Sequence, residues 1–284
     1  MTSAAVPVAL ASATCFAFAS ALQHRAAGQE RPHSTTDPRL LLRLLRRPLW
    51  LAGGAADLAG AGLHAFALGL GELALVQPLL VSGLFLAIPI EAALDRRRPH
   101  FRDLAAVALS AAGLAVFLLT AQPRRGISNP SGPAWLAVAA GSGLAAAACL
   151  ALARRSAGTP RATLLGIATG VLYAVTAALL KSCTDQLATD PVALLTDWRL
   201  YTLAVVGVAG LALNQNAFQG SPLAAPLTAL TLTDPVLSLL IAVTAFHERL
   251  TTSGVRPVLE LAAALGMARG IWLASTTRPP RTDQ

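Results

Sequence analysis

The sequence has few charged residues for its length. Of its 284 residues, 13% are charged, whereas an ordinary soluble domain is about 25% charged. Hydrophobic residues make up 55% of the chain, and the mean hydropathy is +0.59. This composition excludes an ordinary soluble domain and indicates a membrane protein.

Cysteines and catalytic motifs are scarce as well. Cys15, Cys149 and Cys183 show no CxxC spacing and lie within or at the end of apolar runs, which favours neither a disulfide framework nor a metal site. The chain has no GxSxG, HExxH or P-loop motif, and its acids and histidines are scattered. The sequence therefore predicts no enzyme and no cofactor, and ATP-driven pumping would need a separate partner chain.

Long apolar runs fill most of the chain. A helix needs roughly 20 apolar residues to cross about 30 Å of hydrocarbon. Runs of this kind occupy residues 4–23, 49–69, 73–93, 103–121, 134–153, 162–182, 200–219, 223–246 and 257–275. The first run lacks the basic segment that opens a signal peptide, so it is predicted to be retained. We expect an all-α polytopic protein with nine transmembrane helices, a tenth being left open.

The basic residues indicate orientation. Loops 24–48, 94–102 and 154–161 and the tail after residue 275 carry most of the 22 lysines and arginines. By the positive-inside rule, these segments are cytoplasmic. The N-terminus is then outside the cell membrane and the C-terminus inside, and the net charge of +8 reflects topology rather than nucleic-acid binding. The run 37–50 is predicted to lie along the cytoplasmic interface as an anchor.

The chain also repeats itself. A shift of 152 residues places "LHAFALG" (63–69) over "QNAFQGS" (215–221), and near 155 "SATCFAFA" (12–19) falls over "IATGVLYA" (167–174). We expect two four-helix repeats, 4–121 and 162–275, around a linking helix at 134–153. Corresponding helices are five spans apart, an odd number, so the repeats are inverted. Secondary transporters often have this architecture, although duplication in a non-transporting scaffold would leave the same trace.

Amides interrupt the seventh span. They are Asn214, Gln215, Asn216 and Gln219. Gln215 and Gln219 are four residues apart and Asn216 and Gln219 three apart, so on a helix these side chains share a broad face. Two interpretations stay open: hydrogen bonds between helices, worth about 0.6 kcal/mol each, or the lining of a substrate cavity. The counterpart in the first half is His64, which follows Asp57 by seven residues on nearly the same face.

Carboxylates within spans are stronger signals, because each costs at least about 2.5 kcal/mol in hydrocarbon. Asp234 lies deep in the eighth span beside Pro235, whose missing N–H leaves a backbone carbonyl free. Asp57 is nearly as deep in the second span. Gln77, next to Pro78, is another polar interruption. A structural role for Asp234, bonding a neighbouring helix or the freed backbone, remains the alternative.

Other charged residues are expected at boundaries. Glu72 is expected to face water at the turn between the second and third spans. Lys181, the only lysine, closes the sixth predicted span and is expected at the membrane interface. Glu260 and Arg269 are expected to reach opposite interfaces from the last span.

The segments "ALGLGELALVQPLLVSGLFLAIPIEA" and "LNQNAFQGSPLAAPLTALTLTDPVLSLLIAVTAFHERL" resemble the drug/metabolite transporter superfamily, the EamA-like proteins. The span count, "LVQPL", "LNQNAF" and the lysine resemble its nine-span actinobacterial members and the NIPA-type magnesium transporters. The resemblance covers residues 4 to 275 and implies that Asp57 and the segment 76–79 line the path. NIPA-type sequences place their second-span acid nearer that segment, a departure that argues against magnesium selectivity.

The sequence as a whole predicts a secondary transporter of a small molecule or ion, coupled to protons or another cation. Asp57 and Asp234 are the predicted coupling or cation-binding groups, and His64 is a predicted proton relay. Neutral hydrogen-bonding groups are predicted at Gln77, Asn214, Gln215, Asn216 and Gln219. The alternatives are a divalent-cation transporter and a membrane scaffold or accessory subunit. Expected partners are the substrate and the bilayer, not nucleic acid; a homodimer and a metal site are left open.

Overall fold

The structure is a computed structural model that describes residues 2–28, 40–80, 126–218 and 224–248, with isolated helical positions between 82 and 116 and between 262 and 269. Nine helices form within the described residues. They are α1 (Thr2–Gly28), α2 (Leu40–Leu44), α3 (Pro48–Leu70), α4 (Leu73–Leu80), α5 (Gly132–Arg154), α6 (Gly158–Thr189), α7 (Pro191–Leu194), α8 (Trp198–Ala217) and α9 (Ala224–Thr244).

Five of these helices are long and apolar enough to cross a membrane: α1, α3, α5, α6 and α8. They coincide with the predicted spans 4–23, 49–69, 134–153, 162–182 and 200–219, and α9 coincides with the span 223–246, with a shorter apolar stretch at Ala229–Thr244. The expectation of an all-α multi-pass membrane protein is confirmed for these segments.

Three predicted spans fall largely outside the described residues. The helix α4 covers only the beginning of the span 73–93, and the spans 103–121 and 257–275 lie outside the described ranges apart from isolated positions. The count of nine spans, the inverted repeats and the orientation therefore stay predictions.

Local capping sets several helix ends. Pro48 opens α3, where its fixed φ suits a helix and its missing N–H is not needed. At the other end of α3, the extended Gly71 donates its N–H to the Ala67 carbonyl at 2.9 Å, and α4 starts two residues later. The Asp197 carboxylate accepts the Arg199 N–H at 2.9 Å and begins α8.

The helix α6 is the centre of the described bundle. It packs against α3, α5, α8 and α9, and its 32 residues correspond to about 48 Å at 1.5 Å per residue. A Cβ atom on Gly170 would lie 2.8 Å from the Thr233 Cβ and 3.1 Å from the Asp234 nitrogen. Gly170 thus lets α6 approach α9 closely, as small residues do between membrane helices.

Among the residues that the structure describes, the largest apolar core lies where α3 ends and α4 begins, between α6 and the end of α9. Its fully buried members include Leu68, Leu73, Val76, Leu179 and Phe246. We call this region the α4 end of the bundle.

One expectation about charged residues at the α4 end is wrong: Glu72 is buried, with 6% of its surface exposed, rather than facing water. Lys181 is also buried, with 3% exposed, and its place at the membrane interface stays a prediction. Lys181 does not close its helix, because α6 continues to Thr189 before Asp190 and Pro191 begin α7. Glu72 is covered because α4 begins immediately after it and packs against α1 and α9.

Candidate substrate path

A chain of polar side chains joins three helices. The Gln215 Nε2 group on α8 donates to the Gln23 Oε1 atom on α1 at 2.7 Å. The Gln23 Nε2 group in turn donates to the Asp57 Oδ2 atom on α3 at 3.5 Å. Gln215 is fully buried and Gln23 nearly so. The structure therefore connects Asp57 with Gln215, two residues singled out in the sequence, through an amide that was not.

Tyr173 on α6 lies next to this chain. Its hydroxyl forms a hydrogen bond with the Asn214 side chain of α8 and is within electrostatic range of both Asp57 and Asp234. The ring packs on Gly210, where a Cβ atom would lie 2.8 Å from the Tyr173 Cε1 atom. Gly210 thereby makes room for the ring. The Tyr173 hydroxyl is therefore held within electrostatic range of two carboxylates, Asp57 and Asp234.

Asp234 reaches the same region from α9. The Ser238 hydroxyl, one turn further along, donates to the Asp234 Oδ1 atom at 3.1 Å. The backbone of α9 at Asp234 touches α6 at Gly170, three residues before Tyr173. This contact brings Asp234 towards the Tyr173 hydroxyl.

We call these six residues the polar path: Gln23, Asp57, Tyr173, Asn214, Gln215 and Asp234. Along α6, Tyr173 precedes Lys181 by eight residues, which is about 12 Å. Along α9, Asp234 precedes Thr244 by ten residues, or about 15 Å. Tyr173 and Asp234 therefore lie well inside their helices and away from the α4 end, whereas Gln23 and Gln215 lie close to the ends of their apolar segments. Carboxylates, amides and a hydroxyl in this arrangement can bind a proton or a cation and hydrogen-bond a polar solute.

His64 lies on the same side of α3 as Asp57, as expected, because both side chains contact α1. It is buried on α3 with its ring edge-on to Phe16 of α1, the two ring centroids being 6.3 Å apart. Within the described chain, its Nε2 atom has no hydrogen-bond partner. The seven residues between Asp57 and His64 correspond to about 10 Å along the helix, so a proton relay between them would need an intervening water.

The remaining predicted residues are not gathered at the polar path. The Asn216 Nδ2 group donates to the Ala212 carbonyl of its own helix at 2.7 Å. Gln77 is buried on α4, and Gln219 lies outside the described residues. Among the residues that the structure describes, no three histidine, cysteine or acidic side chains are close enough to hold a metal ion.

Sequence reasoning missed Gln23 and Tyr173. Tyr173 is one of only two tyrosines and falls mid-span in an apolar helix, where its hydroxyl must find a partner. A tyrosine in the middle of an apolar span could therefore have identified Tyr173 from the sequence. Gln23 sits at the very end of the first apolar run, so its sequence position looks like an ordinary boundary.

A second polar cluster occupies the α4 end. The Glu248 carboxylate, just beyond α9, accepts the N–H groups of Leu73 and Ala74, each at 3.0 Å. These are the first two residues of α4, so Glu248 caps this helix from the far half of the sequence. The cap is nearly dry, because only 2% of Glu248 is exposed.

Charged neighbours surround this cap. The Lys181 Nζ group is 3.5 Å from the Gly71 carbonyl and 3.8 Å from the Asp185 Oδ2 atom. Burial raises the pKa of Glu248, and hydrogen bonds from the backbone of α4 together with the charge of Lys181 act in the opposite direction. Glu72 is close enough to repel Glu248.

An arginine site lies at the start of α8. The Arg199 guanidinium pairs with Asp197 and donates to the Asn129 Oδ1 atom at 2.7 Å. The hydrogen bond from Arg199 holds the pKa of Asp197 below its ordinary value. Trp135 at the start of α5 stands edge-on to Trp198, with ring centroids 5.8 Å apart. These contacts tie the loop before α5 to the start of α8.

The described helices and the buried polar path define a multi-pass, all-α membrane protein. The chain is similar to an uncharacterized protein of Corynebacterium glutamicum, with 25% identity over 280 residues that cover 98% of this chain and 95% of the relative. The similarity thus extends over essentially the whole length of both proteins. No family model matches the chain, and no solved structure matches it.

Proposed function

We propose that this protein is a secondary transporter of a small molecule or ion, similar to the drug/metabolite transporters and driven by protons or another cation. One observation carries the proposal: Asp57 and Asp234, from opposite halves of the sequence, both lie within electrostatic range of the Tyr173 hydroxyl. Three polar amides, those of Gln23, Asn214 and Gln215, complete the same region.

The energetic cost of this arrangement supports a role in transport. Each carboxylate costs at least about 2.5 kcal/mol inside hydrocarbon, and such residues usually serve ion or substrate pathways. Holding helices together does not require them, because glycine contacts such as Gly170 against α9 already do so. Two carboxylates within electrostatic range of one hydroxyl are therefore better explained by a solute or proton that binds there.

The packing of the two halves supports a repeated architecture. In the first half, α1 packs along α3, and a Cβ atom on Gly60 would lie 2.9 Å from the Phe16 ring. In the second half, α6 packs along α8, where Tyr173 covers Gly210 in the same way. The helix pairs α1–α3 and α6–α8 thus pack in a similar way in both halves, although the two ring-on-glycine contacts do not occupy positions that the repeat alignment pairs.

The proposed mechanism is alternating access around the polar path. A proton or cation that reaches Asp57 and Asp234 neutralises them and lowers the cost of enclosing them in a dry site. Tyr173 and the amides then supply hydrogen bonds to a polar solute. Rocking of one half against the other, as in other inverted-repeat transporters, exposes the loaded site on the opposite side.

Flux in proteoliposomes tests the proposal. Purified protein is reconstituted with a pH-sensitive dye inside, and a panel of cations, amines and amino acids is added outside. We expect substrate-dependent proton movement in the wild type and its loss in Asp57→Asn and Asp234→Asn. The matched control is Asp190→Asn, because Asp190 is an exposed carboxylate that only caps α7, and this variant should transport normally.

The other outcomes separate the alternative functions. Entry of Mg²⁺ without proton movement would support a divalent-cation transporter instead. Absence of any flux from folded wild-type protein, or equal flux in wild type and Asp234→Asn, would refute coupled transport through Asp234. Absence of flux would leave the scaffold as the better explanation.

A further inference from the structure

Glu248 forms a contact between the two halves of the sequence that the polar path does not use. Both of its carboxylate oxygens are occupied, one by the Leu73 N–H and the other by the Ala74 N–H. Without it, these two N–H groups would have no partner within α4, because the first turn of a helix leaves them free. We call Glu248 with the two N–H groups that it binds the latch.

The chain after α9 is folded to hold Glu248 in place. The Glu248 N–H donates to the Ala242 carbonyl at 2.9 Å, and Phe246 bonds back to Ile241. His247 between them has a φ of 53°, which turns the chain back towards the bundle. The Phe246 carbonyl also accepts the Ile127 N–H at 2.7 Å. Glu248 is thus presented to α4 by a tight, bonded turn.

The latch lies next to a layer of buried apolar side chains. Leu73, Val76, Leu179 and Phe246 are fully buried there. The polar path begins about 12 Å deeper along α6, on the far side of this layer. Among the described residues, separation of α4 from the end of α9 would open this layer, and that movement breaks the two bonds of the latch.

Opposing charges leave the latch able to open. Lys181, which contacts the Gly71 carbonyl, attracts the Glu248 carboxylate, while the buried Glu72 repels it. Within the described chain, the Glu72 Oε2 atom has no hydrogen-bond partner in this closed arrangement. The closed state thus contains an unfavourable contact that opening would relieve.

We infer that Glu248 is the gate residue on one side of the bundle, closing access to the polar path by capping α4 and releasing it when the halves separate. This inference rests on the proposed alternating access. The distribution of arginines predicts that the gated side is the external one.

Sided cysteine labelling tests the gate without any substrate. The native cysteines Cys15, Cys149 and Cys183 are free and are replaced by alanine. Ser238→Cys, beside Asp234, then reports water access to the polar path. A membrane-impermeant cationic thiosulfonate is applied to right-side-out or inverted vesicles, and the rate of modification is measured.

Glu248→Ala should raise the modification rate from the gated side at least about tenfold, because loss of one charge-assisted hydrogen bond already shifts a two-state equilibrium by about that factor and this variant removes two. Asp190→Asn is the matched control, since Asp190 also caps a helix with its carboxylate but bonds only to Val192 and Ala193 of its own segment. Its rate should equal that of the parent. Equal rates in the parent and in folded Glu248→Ala would overturn the inference.

A measurement on the wild type covers the case in which Glu248→Ala does not fold. Hydrogen exchange of the Leu73 and Ala74 amides should be faster than that of the α6 core, because the latch opens without global unfolding. Exchange only at the rate of global unfolding would exclude a gate. Neither readout depends on flux, so a protein with a working latch but no transport, or with transport and no latch, would be recognised as such.

Discussion

The packing of Tyr173 on Gly210 yields a sharp prediction about the polar path. An alanine methyl at position 210 would lie 2.8 Å from the Tyr173 Cε1 atom and 3.0 Å from the Cδ1 atom. A Cβ atom essentially never comes as close as 2.8 Å to another heavy atom, so the ring must shift. Its hydroxyl would then be displaced from the Asn214 side chain.

The size of the effect follows from two opposing terms. Inserting a methyl group into a packed site costs about 1–3 kcal/mol, and replacing glycine by alanine in a helix gains up to about 1 kcal/mol. Gly207, one turn earlier on α8, provides the control, because a methyl group there would lie 3.9 Å from the Thr176 Cγ2 atom, an ordinary contact. Gly210→Ala should therefore be about 1–3 kcal/mol less stable than Gly207→Ala.

Unfolding by sodium dodecyl sulfate in mixed micelles measures this difference, and proteoliposome flux measures its effect on transport. We expect Gly207→Ala to keep flux and Gly210→Ala to lose most of it. In a Tyr173→Leu background, the added methyl at position 210 should no longer destabilise the protein. Equal free energies of unfolding for the two alanine variants would refute the reasoning, because the ring would then not be confined by Gly210.

Two further predictions concern single polar groups. Tyr173→Phe keeps the ring on Gly210 but removes the hydroxyl, so the free energy of unfolding should fall by only about 0.5–1.5 kcal/mol while flux is lost; retained flux would remove Tyr173 from the path. Asp197 has a pKa lowered by its hydrogen bond from Arg199, and its ionised form is favoured in the folded state. Stability from this pair is complete above the ordinary value of 3.8 and is lost as pH falls towards the lower folded pKa. Denaturation at pH 5 and pH 3 should reveal this loss in the wild type and not in Asp197→Asn.

The helices were the easiest part to predict. A long apolar stretch predicts a helix whatever its neighbours are, because the bilayer requires each span to satisfy its own backbone hydrogen bonds. Six predicted spans accordingly match α1, α3, α5, α6, α8 and α9. Asp57, Gln215 and Asp234 were also identifiable, since a polar group in such a stretch stands out by its cost. Their roles in transport remain predictions.

The partners of these groups were much harder to predict. Gln23 lies at the end of an apolar run, yet its side chain connects Asp57 with Gln215. Gln215 is 192 residues from Gln23 in the sequence. Glu72 and Lys181 looked like boundary residues, yet both are buried where α4, α6 and the end of α9 meet. Hydropathy assesses each helix by itself, so it cannot report which helices later cover a given side chain.

The sequence by itself determined that the chain is an all-α membrane protein and which of its spans carry polar groups that are unfavourable in hydrocarbon. Both properties depend on the free energy of transfer of each segment from water to hydrocarbon, which is set by that segment alone. Only the tertiary structure decided that Tyr173 lies within electrostatic range of carboxylates from both halves and that Glu248 caps α4. Those contacts join residues far apart in the chain, and their distances are set by how closely glycine-bearing helices pack.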